Sequence, residues 1–271
     1  MAAKRPMKRP RKQKARDLSA APSKLELFGL RSLPEVFPRD DLALLVSDAA
    51  LREGLEIHAG DLIVLAQKIV SKAEGRIVRL NQVKPSEPAR EWAKTLGEDA
   101  RFLEVVLRES RRIVRMTERV LLVETHHGFT CANAGVDRSN VPGKDCVTCL
   151  PCDPDSSARK FVAGIRKRCG ARVAVVISDT FGRPWRLGLT NVAIGAAGFE
   201  VLRDLRGTRD AAGHRLQATI LAAADDLAAA AGLLMSKQGG VPAVVIRGYS
   251  YRQASDTARR LIRPAAEDLF R

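Results

Sequence analysis

The run Leu62-Ile63-Val64-Leu65-Ala66 constrains the fold more than any other stretch of the chain. It lies between a Gly60-Asp61 turn and the polar Gln67-Lys68, and its apolarity is continuous rather than alternating, so it reads as a strand covered on both faces. Arg172-Val173-Ala174-Val175-Val176-Ile177-Ser178 is a second strand of similar make, rich in β-branched residues. Each gives way abruptly to polar residues: Gln67-Lys68-Ile69-Val70-Ser71-Lys72 after the first, Asp179-Thr180-Phe181-Gly182-Arg183-Pro184-Trp185-Arg186 after the second.

Helical signals surround these strands. Asp40 or Asp41 caps a helix over Leu42–Arg52 that Gly54 closes. Ser86 and Pro88 open another over Glu87–Leu96, ended by Gly97. Further helices are expected over Ala100–Arg108, Asp155–Cys169, an alanine-rich Leu216–Met235 and Ser255–Ile262. Arg119–Thr125 and Val241–Arg247 read as strands, and Leu25–Val36 as an extended segment running into Pro34 and Pro38. The elements alternate without a regular βαβ period or internal repeat. The expected class is therefore α+β, a mixed α/β sheet with flanking helices, non-Rossmann. Neither G-x-x-x-x-G-K-[ST] nor G-x-G-x-x-G occurs, so no P-loop is expected.

The 271 residues, 45% hydrophobic, can bury a substantial core as one domain over residues 25–271, open to division into two subdomains. The net charge of +15 is concentrated at the start: eight basic residues lie between Lys4 and Arg16, with Asp17 the first acid. Residues 1–20 therefore read as a disordered basic tail. It lacks the apolar stretch of a secretory signal. Five cysteines, an odd number, fit a reduced, cytoplasmic setting. The longest apolar stretch, Ile220–Met235, holds Asp225 and Asp226, so no membrane span is expected.

Chemistry concentrates in Gly128–Asn140 and Ser178–Arg186, both poor helix material and rich in side chains with oxygen donors. Asp137, with Asp179 and Thr180, supplies hard oxygen donors suited to Mg²⁺ or Mn²⁺. Lys68, Lys72, Arg183, Arg186 and Arg247 could hold phosphate oxygens. The competing reading makes the aspartates turn or helix caps. Cys146, Cys149 and Cys152 form C-x₂-C-x₂-C, with Cys131, Cys169, His126 or His127 as candidate fourth ligands for zinc or an iron–sulfur cluster; the alternative is small thiols packed in a core. Cys131 near His127 lacks the elbow motif of an acyl-transfer nucleophile. Trp92 and Trp185 are too few for a base-stacking platform.

Several segments taken together resemble one family. They are Leu33-Pro34-Glu35-Val36, Gln67 to Gly75, His127 to Asn140, Leu150-Pro151-Cys152-Asp153-Pro154-Asp155, Ser178 to Arg186 and Pro242 to Gly248. In this order they resemble the coenzyme F-420:L-glutamate ligases, over about Leu25 to Gly248. The resemblance implies a GTP-dependent ligase that adds L-glutamate, in one or more γ-linked units, to the deazaflavin precursor F-420-0 through an acyl phosphate, releasing GDP and phosphate. It also implies an intertwined homodimer and two divalent sites for Mg²⁺ or Mn²⁺, with K⁺ alongside. By position, Asp137 and Asp179 would be catalytic and hold one metal, and Thr180 would hold the second. Leu33, Pro34, Glu35, Val36, Gln67, Lys68, Lys72 and Asn140 would line the nucleotide or cofactor pocket.

The family's loop corresponding to Met235-Ser236-Lys237-Gln238-Gly239-Gly240 would also contact substrate. Many members carry Gln or Glu there as a ligand of the second metal; here the aligned residue is Lys237, with Gln238 one step on as the candidate ligand. Leu and Glu usually stand where this chain has Cys149 and Cys152, which favours packed thiols over zinc. The chain matches the standalone form, without the C-terminal nitroreductase-like domain of some bacterial members. Two alternatives remain open: the same chemistry on another carboxylated pterin or deazaflavin, and nucleic-acid binding led by the basic tail.

Overall fold

The computed structural model describes residues 24–118, 120–141, 143, 145–235 and 239–268. The basic tail and Lys237 with Gln238 lie outside them.

Strand β1 (Glu26–Gly29) leads through the Leu33–Pro38 segment to α1 (Leu42–Arg52), where the Asp41 carboxylate accepts from the Leu44 N–H at 3.1 Å. β2 (Leu62–Ala66) runs directly into α2 (Gln67–Ala73) with no intervening loop. β3 (Ile77–Arg79), α3 (Glu87–Leu96) and α4 (Ala100–Arg108) follow; Gly97 ends α3 in the left-handed conformation and Asp99 caps α4. Next come β4 (Ser110–Met116), β5 (Leu121–Thr125), β6 (Thr130–Ala132) and β7 (Cys146–Thr148), then α5 (Pro154–Cys169), capped by Asp153. β8 (Ala174–Arg183) and β9 (Arg186–Ala197) form a long hairpin, β10 (Arg203–Asp204) and β11 (Ile220–Leu221) a short pair, and α6 (Ala223–Gly232) and β12 (Ala243–Arg247) complete the order.

The main sheet has the order β1-β12-β2-β8-β9, with β2 and β8 parallel and the other pairs antiparallel. It is the expected mixed sheet, and the two-residue period of its central strands divides the core. Ile63, Leu65, Val175, Ile177, Ala243 and Val245 pack on one face with α1 and α5. Leu62, Val64, Ala174, Val176, Val244 and Ile246 pack on the other with α6. The apolar runs are continuous because both faces are buried. A third core joins α3 and α4 to the β4-β5-β6 sheet and β7, around Leu103, Val106, Val123, Val147 and Cys149.

Two expected helices are largely absent. In place of the helix over Leu216–Met235, α6 spans only Ala223–Gly232; β11 pairs with β10, and the Leu205 N–H donates to the Thr219 carbonyl at 3.0 Å. Pairing with residues 203–208 outweighs a helix propensity that β-branched Thr219 and Ile220 already weaken. Ser255–Ile262 contains only a 3₁₀ turn, Ala258–Leu261, whose Ala258 N–H is captured by buried Asp155 at 2.8 Å. Among the described residues, no helix is long and apolar enough to cross a membrane.

Candidate functional site

In the parallel register of β2 and β8, Ala66 lies opposite Ser178. Gln67 and Lys68 therefore leave the sheet beside Asp179 and Thr180, at the carboxyl edge where α/β sheets bind ligands. A β-bulge sharpens the placement: Ile177 pairs with Gly195 and Ser178 with Ala193, so Ile194 is the extra residue. Such a bulge re-aims the side chains that follow it.

Lys68, in the first turn of α2, reaches across to the Gly128–Asn140 segment. Its Nζ donates to Asp137 Oδ2 at 2.7 Å and to Ser139 Oγ at 2.8 Å. The Ser139 N–H donates to Asp137 Oδ1 at 2.8 Å, and the Ser139 hydroxyl donates to Oδ2 at the same distance. Burial alone would raise the Asp137 carboxyl, but the hydrogen bonds from Lys68 and Ser139 hold it below its usual value, so it is an anion at neutral pH. Its backbone exchanges hydrogen bonds with Thr148 of β7 at 3.0 and 2.9 Å, which fixes the loop to the smaller part of the fold.

The turn that delivers Asp137 is strained. Asn133, Ala134 and Gly135 have φ of 51°, 54° and 70° in succession, and Ala134 is buried. A Cβ at Gly135 would come within 2.7 Å of the Leu150 side chain, so only glycine fits. The segment also reaches β8: the Phe129 and Phe181 rings meet edge to face, 6.4 Å between centroids. Burial pushes the Cys131 thiol up to about 12, and the neighbouring Asp179 charge adds to the effect. The two polar segments thus meet through Phe129 and Phe181.

Leu33–Val36 lies against α2. Leu33 and Val36 pack on the first core, and exposed Glu35 turns to Lys72, Oε1 to Nζ 2.5 Å. Gln67 is buried and accepts from the Ser71 hydroxyl at 2.8 Å. Asn140 is exposed at the loop's end with φ 53°. Met235 approaches the same sheet edge, its sulfur 3.9 Å from Ser178 Oγ, while Gly239 is exposed. Thr180 donates to Asn191 Oδ1 at 3.1 Å.

Three basic candidates stand elsewhere. Arg247 is bound to Asp61 at 2.7 Å and to the Glu56 carbonyl, at the opposite end of β2. Arg183 and Arg186 are exposed at the β8–β9 turn, where Arg183 donates to the Leu187 carbonyl. Sequence reasoning also missed Ser139 and Asn191. Ser139 sits two residues after Asp137, the spacing of an Asx-type turn; Asn191 becomes visible only once β9 is placed opposite β8.

The five cysteines are free, with Cys131 and Cys149 buried as packing residues, and no three His, Cys, Asp or Glu among the described residues are gathered as a metal cluster. For a hard divalent ion the donors present are chemically suitable. Asp137 is ionised, and Oδ1 takes a single hydrogen bond, which leaves it a lone pair for a cation.

The mixed sheet delivers ion-paired lysines and carboxylates to its carboxyl edge, and comparison with known proteins says which class of protein carries such a site. The profile of the family described as F420-0:Gamma-glutamyl ligase matches residues 31–248. The coenzyme F420:L-glutamate ligase of Methanothermobacter thermautotrophicus is 44% identical over 250 residues, 91% of this chain and 99% of that protein. The proteins of the same name from Methanopyrus kandleri and Methanocaldococcus jannaschii are 43% and 42% identical, over 88% and 79% of this chain and 94% and 86% of theirs. The chain belongs to the F420-0:gamma-glutamyl ligase family.

Proposed function

We propose that the chain is a GTP-dependent ligase that joins L-glutamate to F-420-0. The observation that carries the reading is the Lys68–Asp137–Ser139 cluster at the carboxyl edge of β2 and β8, inside the segment over which the family profile matches. A phosphoryl-transfer site needs cations to hold phosphate oxygens and anionic oxygens to hold a divalent ion, and the cluster contains both.

In this reading a carboxylate oxygen of F-420-0 attacks the γ-phosphorus of GTP, the bond to the β-phosphate oxygen breaks, and GDP leaves. The glutamate ammonium loses a proton to solvent and the amine attacks the acyl carbon; the carbon–oxygen bond to phosphate breaks, the nitrogen gives its second proton to solvent as the amide forms, and inorganic phosphate departs. Lys72, held beside Glu35, and Lys68 orient phosphate oxygens. Leu33–Val36, Gln67, Asn140, Met235 and Gly239 would contact the nucleotide or acceptor. Asp137 and Asp179 would hold one Mg²⁺ or Mn²⁺, and Thr180 would contribute to a second; when bound, such ions would neutralise charge on the transferred phosphoryl group. K⁺ belongs to the same proposal.

We also propose a homodimer. Its support is the β8–β9 tip, where Trp185, Leu187 and Leu189 are 80%, 99% and 64% exposed, an apolar surface suited to a second copy.

The test is incubation of the purified protein with Mg²⁺ or Mn²⁺, GTP, F-420-0 and L-glutamate, with products followed by mass spectrometry. Products heavier by one or more glutamyl units, with matching GDP release, are expected. Absence of both with either metal would sink the proposal.

A further inference from the structure

Asn191 is the least expected polar residue at this edge. It lies directly opposite Thr180 in the β8–β9 ladder, so the two side chains share a face. The Thr180 hydroxyl donates to Asn191 Oδ1 at 3.1 Å, and Asn191 Nδ2 points at the Met235 sulfur, 3.8 Å away. The two contacts agree on the orientation of the amide, oxygen toward the hydroxyl and nitrogen toward the thioether. The end of α6 holds it there. A Cβ at Gly232 would lie 3.1 Å from Asn191 Cγ and 3.3 Å from its Cβ and Nδ2, so a glycine lets the helix backbone close against the amide.

We propose that Asn191 is a positioning residue: by accepting the hydrogen bond from the Thr180 hydroxyl it turns the oxygen lone pairs of Thr180 outward as a ligand for a hard cation. The inference rests on the ligase reading for the identity of the cation. A hydroxyl has one proton and two lone pairs. With the proton committed to Asn191, Thr180 presents only electron pairs to the open side, which suits Mg²⁺ or Mn²⁺ and not a phosphate oxygen. The same amide ties β8, β9 and the end of α6, so displacing it moves Thr180 and Met235 together.

The experiment compares the parent with Asn191→Ala, Asn191→Asp, Thr180→Ala and the double variant Thr180→Ala/Asn191→Ala. Free Mn²⁺ is counted by electron paramagnetic resonance in the presence of GTP, and kcat and the KM for GTP are measured alongside. Asn191→Ala should weaken Mn²⁺ binding by about tenfold, the effect of losing one coupled contact. Asn191→Asp, whose carboxylate accepts the same proton, should restore it. The double variant should bind Mn²⁺ no more weakly than Thr180→Ala, because Asn191 acts through Thr180.

Mn²⁺ binding unchanged in Asn191→Ala, or losses that multiply in the double variant, would overturn the proposal. If Asn191→Ala does not fold, Asn191→Leu, which fills the volume without an acceptor, takes its place. A parent that binds Mn²⁺ but releases no GDP with F-420-0 and L-glutamate sinks the ligase reading and leaves this one standing. A parent that binds no Mn²⁺ sinks both.

Discussion

Lys68 Nζ and Asp137 Oδ2 lie 2.7 Å apart although 69 residues separate them in the chain. The contact ties the first turn of α2, fixed to the main sheet, to a loop hydrogen-bonded to β7. It also brings the cationic and anionic halves of the candidate site together. Asp137 is about one-third exposed and Lys68 less, so solvent screens the pair only in part.

The pair makes stability depend on pH in a defined direction. The folded Asp137 carboxyl lies below its ordinary value of 3.8. Its contribution is therefore in place above the unfolded value and is lost as pH falls through the folded one. Asp137→Asn should cost about 1 kcal/mol at neutral pH, a figure reduced for partial exposure. In urea unfolding, the gap between parent and variant should close as pH is lowered through and below the ordinary carboxylate value of 3.8. A gap that stays constant across that range would show that Asp137 acts on stability through something other than its charge.

Lys72 and Glu35 form a lopsided pair, with side chains 6% and 53% exposed. Removing the exposed partner strands a buried ammonium, whereas removing the buried one also removes its desolvation penalty. Glu35→Gln should lower stability by about 1–2 kcal/mol, and Lys72→Met by less than about 1 kcal/mol. If Lys72 holds phosphate, Lys72→Met should also raise the KM for GTP by about tenfold, the worth of one charge-assisted contact. Denaturant midpoints and GTP titrations read the two effects separately. A Lys72→Met protein less stable than Glu35→Gln would contradict the argument.

Where local signals were complete, the sequence specified the elements to the residue. α1 and α3 begin and end where Asp41, Ser86 and Gly97 indicate, α4 spans the expected Ala100–Arg108, and β2 spans Leu62–Ala66 as its apolar run requires. β9 was illegible because Leu187 and Leu189 project into solvent while Ala193–Ala197 are buried, so no single period covers it. Asp137 and Lys68 were both legible as polar residues at strand ends. Their pairing was not, since nothing local encodes a contact across 69 residues, and Asn191 depended on a hairpin register set by the bulge at Ile194.

Thiol reactivity tests the packing of the cysteines. Burial pushes both Cys131 and Cys149 up to about 12, with Asp179 adding to the first and Glu109 to the second. Cys169 is raised to a lesser degree by partial burial, and Cys152 is exposed. Iodoacetamide at about pH 8 attacks thiolates. Peptide mass spectrometry should find Cys152 labelled first and Cys131 and Cys149 protected until the protein unfolds. Rapid labelling of Cys149 in the folded protein would contradict its packing as a buried thiol, and release of zinc on treatment with a thiol-modifying mercurial would reinstate the metal reading of the C-x₂-C-x₂-C spacing.

The β8–β9 tip supplies the test of assembly. Trp185 sits at φ 55° in the tight turn between Arg183 and Arg186 and is 80% exposed. Leu187 and Leu189 continue the apolar surface along β9, and none of the three belongs to the cores that stabilise the sheet. Replacing Leu187 and Leu189 by Ser should therefore leave thermal unfolding of the monomer nearly unchanged, within about 0.5 kcal/mol as for other surface positions. If a second copy covers the tip, light scattering coupled to size exclusion should record a dimer for the parent and a monomer for the double variant at micromolar concentration. Because Asp179 and Thr180 lie on the same strand as the tip, loss of the dimer should also lower turnover. A parent that runs as a monomer, or a variant that stays dimeric, would remove the tip from the interface and leave its exposed ring to another role.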